Sequence, residues 1–148
     1  MATLDDHPAD LFCTGYRLRK ATRRATQIYD HALAPHGLTV TQYSLLAMLA
    51  RDGEMPLGAL AERVGMDRTS MSRTIRPLLK AGHVAMAGTK DDRRVRKVAL
   101  TGDGGAIFTE ASRAWQAAQQ LMGRALGREN LESLHGLLGA VARLPVSP

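Results

Sequence analysis

The chain has 148 residues, a net charge of +6 and a pI near 10.1, a size for one domain or a compact domain with a helical extension. At 45% hydrophobic and 23% charged residues it can build an ordinary core, and aromatics at only 4% point to helices packed through Ala, Leu and Val. Apolar stretches fall far short of the roughly 20 residues that span a bilayer; with no signal-peptide pattern in "MATLDDHPADLF" and a single cysteine, the expected setting is cytoplasmic, with no membrane partner and no internal disulfide.

Leu11, Leu18, Ala21, Ala25, Ile28 and Ala32 recur at helical spacing and predict a first helix over 10–34, closed by Pro35 and Gly37. "LTVTQYSLLAMLARDG" opens with Thr39-x-x-Gln42, in which each side chain satisfies an orphan backbone amide, and predicts a second helix ending near Arg51. "PLGALAERVG" predicts a short third helix with Leu57, Leu60, Ala61 and Val64 inward and Gly65 at its stop. After a two-residue turn Asp67 caps a fourth helix that runs to about Ala81, where Gly82 closes it.

Two short helices joined by a tight turn containing glycine, the second of them basic, describe a helix-turn-helix. At about 100° per residue, Met71, Ile75, Leu78 and Leu79 fall on one side of the fourth helix, and Thr69, Arg73, Arg76 and Lys80 fall opposite with Ser72 on the flank. Arginine can pair bidentately with guanine, while Ser and Thr reach phosphates or base edges. Recognition helices enter the major groove by their N-terminal end, so Arg68, Thr69 and Ser70 join Ser72, Arg73 and Arg76 as expected DNA contacts. Pro77 removes the bond to the Arg73 carbonyl and predicts either a bend within this helix or an end near Arg76.

"HVAMAG" and "RVRKVALT" flank a charged turn and predict a two-stranded hairpin, the wing of a winged helix. From Asp67 to Lys97 there are nine Lys/Arg against three Asp, an excess equal to that of the whole chain. A cationic face this localised suits a polyanion, with a solvated basic surface the alternative on charge alone; with the helix-turn-helix beside it the expected partner is double-stranded DNA. Asp92, Arg93, Arg94 and Arg96 are the expected wing contacts, an arginine entering the minor groove while a neighbouring aspartate holds its guanidinium extended.

After Thr101, a plausible N-cap, Ile107, Ala111, Ala114, Ala118, Leu121 and Ala125 are spaced 4-3-4-3-4 and predict a helical seam of small residues. A last helix carries Leu131, Leu134, Leu137, Leu138 and Val141 before Pro145. These helices and the first have more apolar surface than the winged domain can cover, so a homodimer is expected, with its two recognition helices about one DNA turn apart. The expected division is a helical dimerisation region at 1–37 and 101–148 around a winged helix-turn-helix at 38–100.

The motifs together resemble the MarR (multiple antibiotic resistance regulator) family over nearly the whole chain. Asp92, Arg94, Leu100 and Thr101 match its D-x-R…L-T wing signature; "MDRTSMSRTIRPLLKAGHV" resembles its recognition helix, proline included, and "LRKATRRATQIYDHALAPHGLTVTQYSLLAML" the first two helices of one subgroup. The resemblance implies a mostly α fold with a small β-hairpin wing. It also implies a bacterial regulator binding a pseudo-palindromic operator as a homodimer, usually a repressor released by a small molecule or by oxidation.

Family members commonly bind phenolic or other aromatic carboxylates where the dimer helices meet the winged domain. Arg17, His36, Tyr43 and Trp115 offer a cation, hydrogen-bonding groups and a stacking face for such an effector; solvation, core or interface packing is the alternative for Arg17, Tyr43 and Trp115. In the peroxide-sensing branch the reactive position aligns with Gly15, two residues after Cys13, and one supporting tyrosine position is Val40, although Tyr29 and Tyr43 remain. Two helical residues are a rotation of about 200°, so Cys13 is expected to face away as a half-buried packing residue, with thiol or peroxide sensing the alternative. His7, His31, His36, His83 and His135 are scattered, and no H-E-x-x-H, paired-cysteine or G-x-S-x-G pattern occurs. No enzyme, cofactor or metal site is expected, and the rival reading is an architectural protein that binds DNA without sequence preference.

Overall fold

The structure, a computed structural model, describes residues 13–88 and 96–146. Helix α1 (Thr14–Leu33) is capped by Cys13, whose Sγ accepts the Tyr16 amide at 3.4 Å. Pro35 sits in the 3-10 turn that follows (Ala34–His36), which Gly37 closes at a φ of +68°. Helix α2 (Val40–Asp52) has the expected reciprocal cap, with the Gln42 amide on Thr39 Oγ1 at 3.2 Å and the Thr39 amide on Gln42 Oε1 at 3.0 Å. A second tie was not legible in the sequence: Asp30 Oδ1 accepts the Val40 amide at 2.6 Å, so a carboxylate of α1 satisfies an orphan donor of α2.

Strand β1 (Met55–Pro56) leads into α3 (Leu57–Val64), and a short turn at Gly65 leads to α4 (Arg68–Lys80). Helix α4 continues through Pro77, so the reading that ends it near Arg76 is set aside. Gly82, at a φ of +75°, lets the His83 amide turn back to the Leu78 carbonyl at 2.9 Å and close that helix. Strands β2 (Val84–Gly88) and β3 (Arg96–Leu100) pair antiparallel from Val84–Leu100 to Gly88–Arg96.

The expected two-stranded hairpin is a three-stranded sheet in the order β1-β3-β2, with Met55 opposite Val98. Two residues are too few to show strand periodicity, and Pro56 lacks an amide, which confines it to an edge. Asp92, Arg93 and Arg94 of the expected wing contacts lie outside the described residues, as do His7 and Leu11.

Leu33, Leu45, Leu46, Leu60, Met71, Leu78 and Val98 are fully buried and join α1–α4 and the sheet in one core. Helices α5 (Gly102–Leu126) and α6 (Arg128–Ala142) extend from it. Ala111 and Ala118 of the α5 seam are buried within this same chain, where α1 and α2 pack against α5. Two of the six positions of the expected seam are therefore buried within the chain itself. The exposed apolar surface lies instead at Leu121, Leu137, Leu138, Val141 and Leu144, and α6 buries no residue. The chain is mostly helical: a winged helix-turn-helix with helical extensions at both ends.

Candidate nucleic-acid interface

Helix α4 divides as its sequence dictates. Met71, Ile75 and Leu78 are buried against the core, while Arg68, Thr69, Ser72, Arg73, Arg76 and Lys80 are exposed on the other side. Ser70 differs from the other expected contacts. It is half-buried, its hydroxyl donates to Asp67 Oδ2 at 2.6 Å and its amide to Oδ1 at 2.9 Å. Those hydrogen bonds hold the Asp67 carboxyl below the usual carboxylate range. Ser70 thus serves the cap that fixes the first turn, and its neighbours Arg68 and Thr69 face solvent.

A groove of about 430 Å³ runs between α3, α4 and the base of the wing. Arg68 and Ser72 line it from α4 and Arg96 from β3, with Leu57, Ala61 and Met71 beneath. Recognition helix and wing, read separately in the sequence, therefore converge on one cationic concavity. Gly58 and Pro56 contribute to it as well.

Among the described residues Arg68, Arg73, Arg76 and Arg96 form no salt bridge, so their guanidinium groups carry no internal carboxylate partner. Lys97 differs, since its Nζ pairs with Glu54 Oε1 at 3.0 Å and joins β3 to the loop before β1. Asp52 at the end of α2 is bound by Arg51 at 2.9 Å and also by Arg63 of α3. The Arg51 hydrogen bond, with Arg63 adding to it, holds the Asp52 carboxyl below its ordinary range, and the Arg63 contact ties α3 to the end of α2.

The four residues considered for an effector do not form one cluster. Tyr43 is buried, stacks on Trp115 with ring centroids 5.7 Å apart, and lies 5.2 Å from Phe108; its hydroxyl is 3.2 Å from Ser112 Oγ. Arg17 is exposed on α1 and His36 is half-buried in the 3-10 turn. Cys13 corrects two expectations. Its thiol is exposed, and residue 13 is an extended N-cap, so the rotation between helical residues does not apply. Its Sγ lies 3.8 Å from the point a Cβ at Gly15 would occupy.

No helix among the described residues is long and apolar enough to cross a membrane, and no group of three or more His, Cys, Asp or Glu there is placed to hold a metal.

A sequence profile described as the MarR family matches residues 36–95, which take in the helix-turn-helix and strand β2. The M. tuberculosis transcriptional regulator MosR, solved in complex with DNA, is 32% identical, with 89% of this chain and 99% of that one covered and a TM-score of 0.77. The transcriptional repressor CouR, bound to a 23-mer DNA duplex, is 26% identical over 91% of this chain and 96% of its own, with a TM-score of 0.83. An uncharacterised helix-turn-helix regulator of Bacillus subtilis, YhbI, is 26% identical over 85% of this chain and 82% of its own.

Proposed function

This chain belongs to the MarR family and is a DNA-binding transcriptional regulator, and from that premise we propose that it acts as a homodimeric repressor on a pseudo-palindromic operator in the cytoplasm, released by a small-molecule effector. The observation that carries the reading is the convergence of Arg68, Ser72 and Arg96 on one groove, continued along α4 by Thr69, Arg73 and Arg76. Arginines without internal carboxylate partners are ready to exchange counterions for phosphates, and the first turn of α4 is the part that reaches base edges. Asp92, Arg93 and Arg94, outside the described residues, complete the proposal as the expected wing contacts.

Dimerisation is supported by the exposed apolar side of α6, with Leu137 at 66% and Leu138 and Val141 at 42% exposure. Such a face is stable in water when a second copy covers it. The division into a winged domain at 38–100 and a dimerisation region at 1–37 and 101–148 follows from it. For an aromatic or phenolic effector, the stacked Tyr43–Trp115 pair supports a site where α2 meets α5; Arg17 and His36 stand apart from that pair and are not part of it.

A second reading, thiol sensing, is favoured by the exposed Cys13 Sγ beside the Gly15 position, where the resemblance places the reactive sulfur of the peroxide-sensing branch.

Binding to operator and to scrambled duplex, each titrated with salt, tests the central claim. A sequence-specific regulator separates the two curves by about a thousandfold or more at physiological salt. Superimposed curves mean an architectural protein.

A further inference from the structure

The recognition helix stops at Lys80, two residues before Gly82, and α5 starts at Gly102, directly after Thr101. Thr101 fastens the two together. Its hydroxyl donates to the Gly82 carbonyl at 2.6 Å and accepts the Gly104 amide at 3.0 Å. Its own amide donates to the His83 carbonyl at 3.1 Å, and the His83 amide turns back to Leu78 inside the last turn of α4. A Cβ at the buried Gly104 would stand 1.9 Å from the His83 carbonyl oxygen, so the first turn of α5 lies directly on this segment.

Farther along α5 the winged unit meets it mainly through ring faces, Tyr43 against Phe108 and Trp115, with the Tyr43 hydroxyl 3.2 Å from Ser112 Oγ. Dispersion between rings fixes a distance and opposes sliding weakly, whereas a hydrogen bond has a preferred direction. The tie at Thr101 therefore sets an angle. Met71, Ile75 and Leu78 are buried in the core, so α4 and the winged unit turn as one body. Helix α4 has 13 residues. Over such a length, about 18 Å, a tilt of about 10° at the C-terminal end moves the N-terminal end by about 3 Å. That is close to one base-pair step of roughly 3.4 Å.

We propose that Thr101 is a positioning residue for operator recognition: its bond to Gly82 fixes the angle of α4 on α5, and with it the half-site spacing that two paired recognition helices accept. The proposal rests on the homodimer reading above, which places α5 in the dimerisation region.

Selection from a random duplex library with the parent protein supplies its preferred paired site. Duplexes with one base pair added to or removed from the centre of that site then measure the spacing preference. One added pair also rotates a half-site by about 35°, and is expected to cost the parent about tenfold or more in affinity. Thr101→Val removes the hydroxyl. Thr101→Asp keeps an acceptor for the Gly104 amide, and so the helix cap, but cannot donate to the Gly82 carbonyl. Both variants are expected to shrink the spacing penalty at least about threefold, while Thr101→Ser, which retains both bonds, stays parental. Circular dichroism shows which variants are folded, and Thr101→Asp decides where Thr101→Val is not. A merely structural role lowers Tm, or lowers affinity equally at every spacing, and leaves the penalty unchanged. That outcome in the folded variants overturns the proposal alone. A parent that selects a lone half-site overturns the dimer reading, and the proposal falls with it.

Discussion

Ser70 donates twice to one carboxylate, through its hydroxyl to Asp67 Oδ2 at 2.6 Å and through its amide to Oδ1 at 2.9 Å. The pair sets where the recognition helix begins, and so where Arg68 and Thr69 stand relative to a DNA groove. In the folded chain these bonds hold the Asp67 carboxyl below its ordinary value of 3.8. A depressed carboxylate adds stability above its unfolded pKa and loses it as pH falls through the lower folded value. Asp67→Ala is therefore expected to lower Tm by a few degrees near neutral pH. The gap to the parent should close as the pH falls below 3.8, while Asp67→Asn, which keeps an acceptor, stays near the parent at neutral pH. Thermal melts across pH check this; a gap that is constant with pH removes Asp67 ionisation from the account.

Arg73 projects from the exposed side of α4 and forms no salt bridge among the described residues, so its removal leaves the fold intact. Arg73→Ala is expected to cost about 1–3 kcal/mol on the preferred site and to relax sequence choice at the base it reads. Competition binding against a panel of single-base operator variants measures both effects. Unchanged affinity on the parent site would place the groove-reading residues elsewhere on the helix.

Gly104 lies where α5 meets the end of α4. A Cβ there would sit 1.9 Å from the His83 carbonyl oxygen, which already accepts the Thr101 amide at 3.1 Å. Backbone cannot yield as a flexible side chain does, so Gly104→Ala is expected to destabilise the chain by about 1–3 kcal/mol. At Gly105 the nearest atom to such a Cβ is Leu100 Cδ2 at 4.0 Å. Gly105→Ala is expected to be neutral or to stabilise by up to about 1 kcal/mol through helix propensity. Denaturant melts of the two variants give the comparison.

This corner also shows what the sequence could reveal. Thr101 was legible as an N-cap because capping is local, and its hydroxyl accepts the Gly104 amide at 3.0 Å. The same hydroxyl donates to the Gly82 carbonyl at 2.6 Å, and neither that bond nor the need for glycine at 104 has a signature in neighbouring residues. Two positions of the α5 seam were misread for a related reason. Small residues at heptad spacing allow close approach by any helix, and Ala111 and Ala118 meet α1 and α2 of their own chain. The two sides of α4 were read correctly because a single helix carries the whole pattern. Tyr43 was legible as an aromatic at a junction, but its burial depends on Phe108, Ser112 and Trp115, all more than sixty residues away.

The exposed side of α6 gives the test of assembly. Leu137 is 66% exposed in the single chain, so a charge there costs the protomer little. Leu137→Glu combined with Val141→Glu is expected to weaken dimerisation by about a hundredfold or more, since both side chains are lost from each half of a symmetric interface. Sedimentation equilibrium reads the change, and operator affinity should fall with it because half-sites are then bound one at a time. A parental dimer constant in this variant moves the interface off α6.

Cys13 supplies the test that separates the two readings of the signal. Its Sγ accepts the Tyr16 amide at 3.4 Å in the first turn of α1, is exposed, and stands 3.8 Å from the Cβ point of Gly15. Peroxide converts such a thiol to a sulfenic acid with release of water; with one cysteine per chain, any disulfide must then form with another molecule. Mass spectrometry of peroxide-treated protein is expected to show one added oxygen on Cys13 in the parent and none at that position in Cys13→Ser. Operator binding of the same samples decides the role. Under thiol sensing the oxidised parent leaves DNA and the serine form stays; under small-molecule sensing both stay bound, because the added oxygen sits on an exposed cap whose loss leaves the buried contacts of α1 at Leu33 untouched.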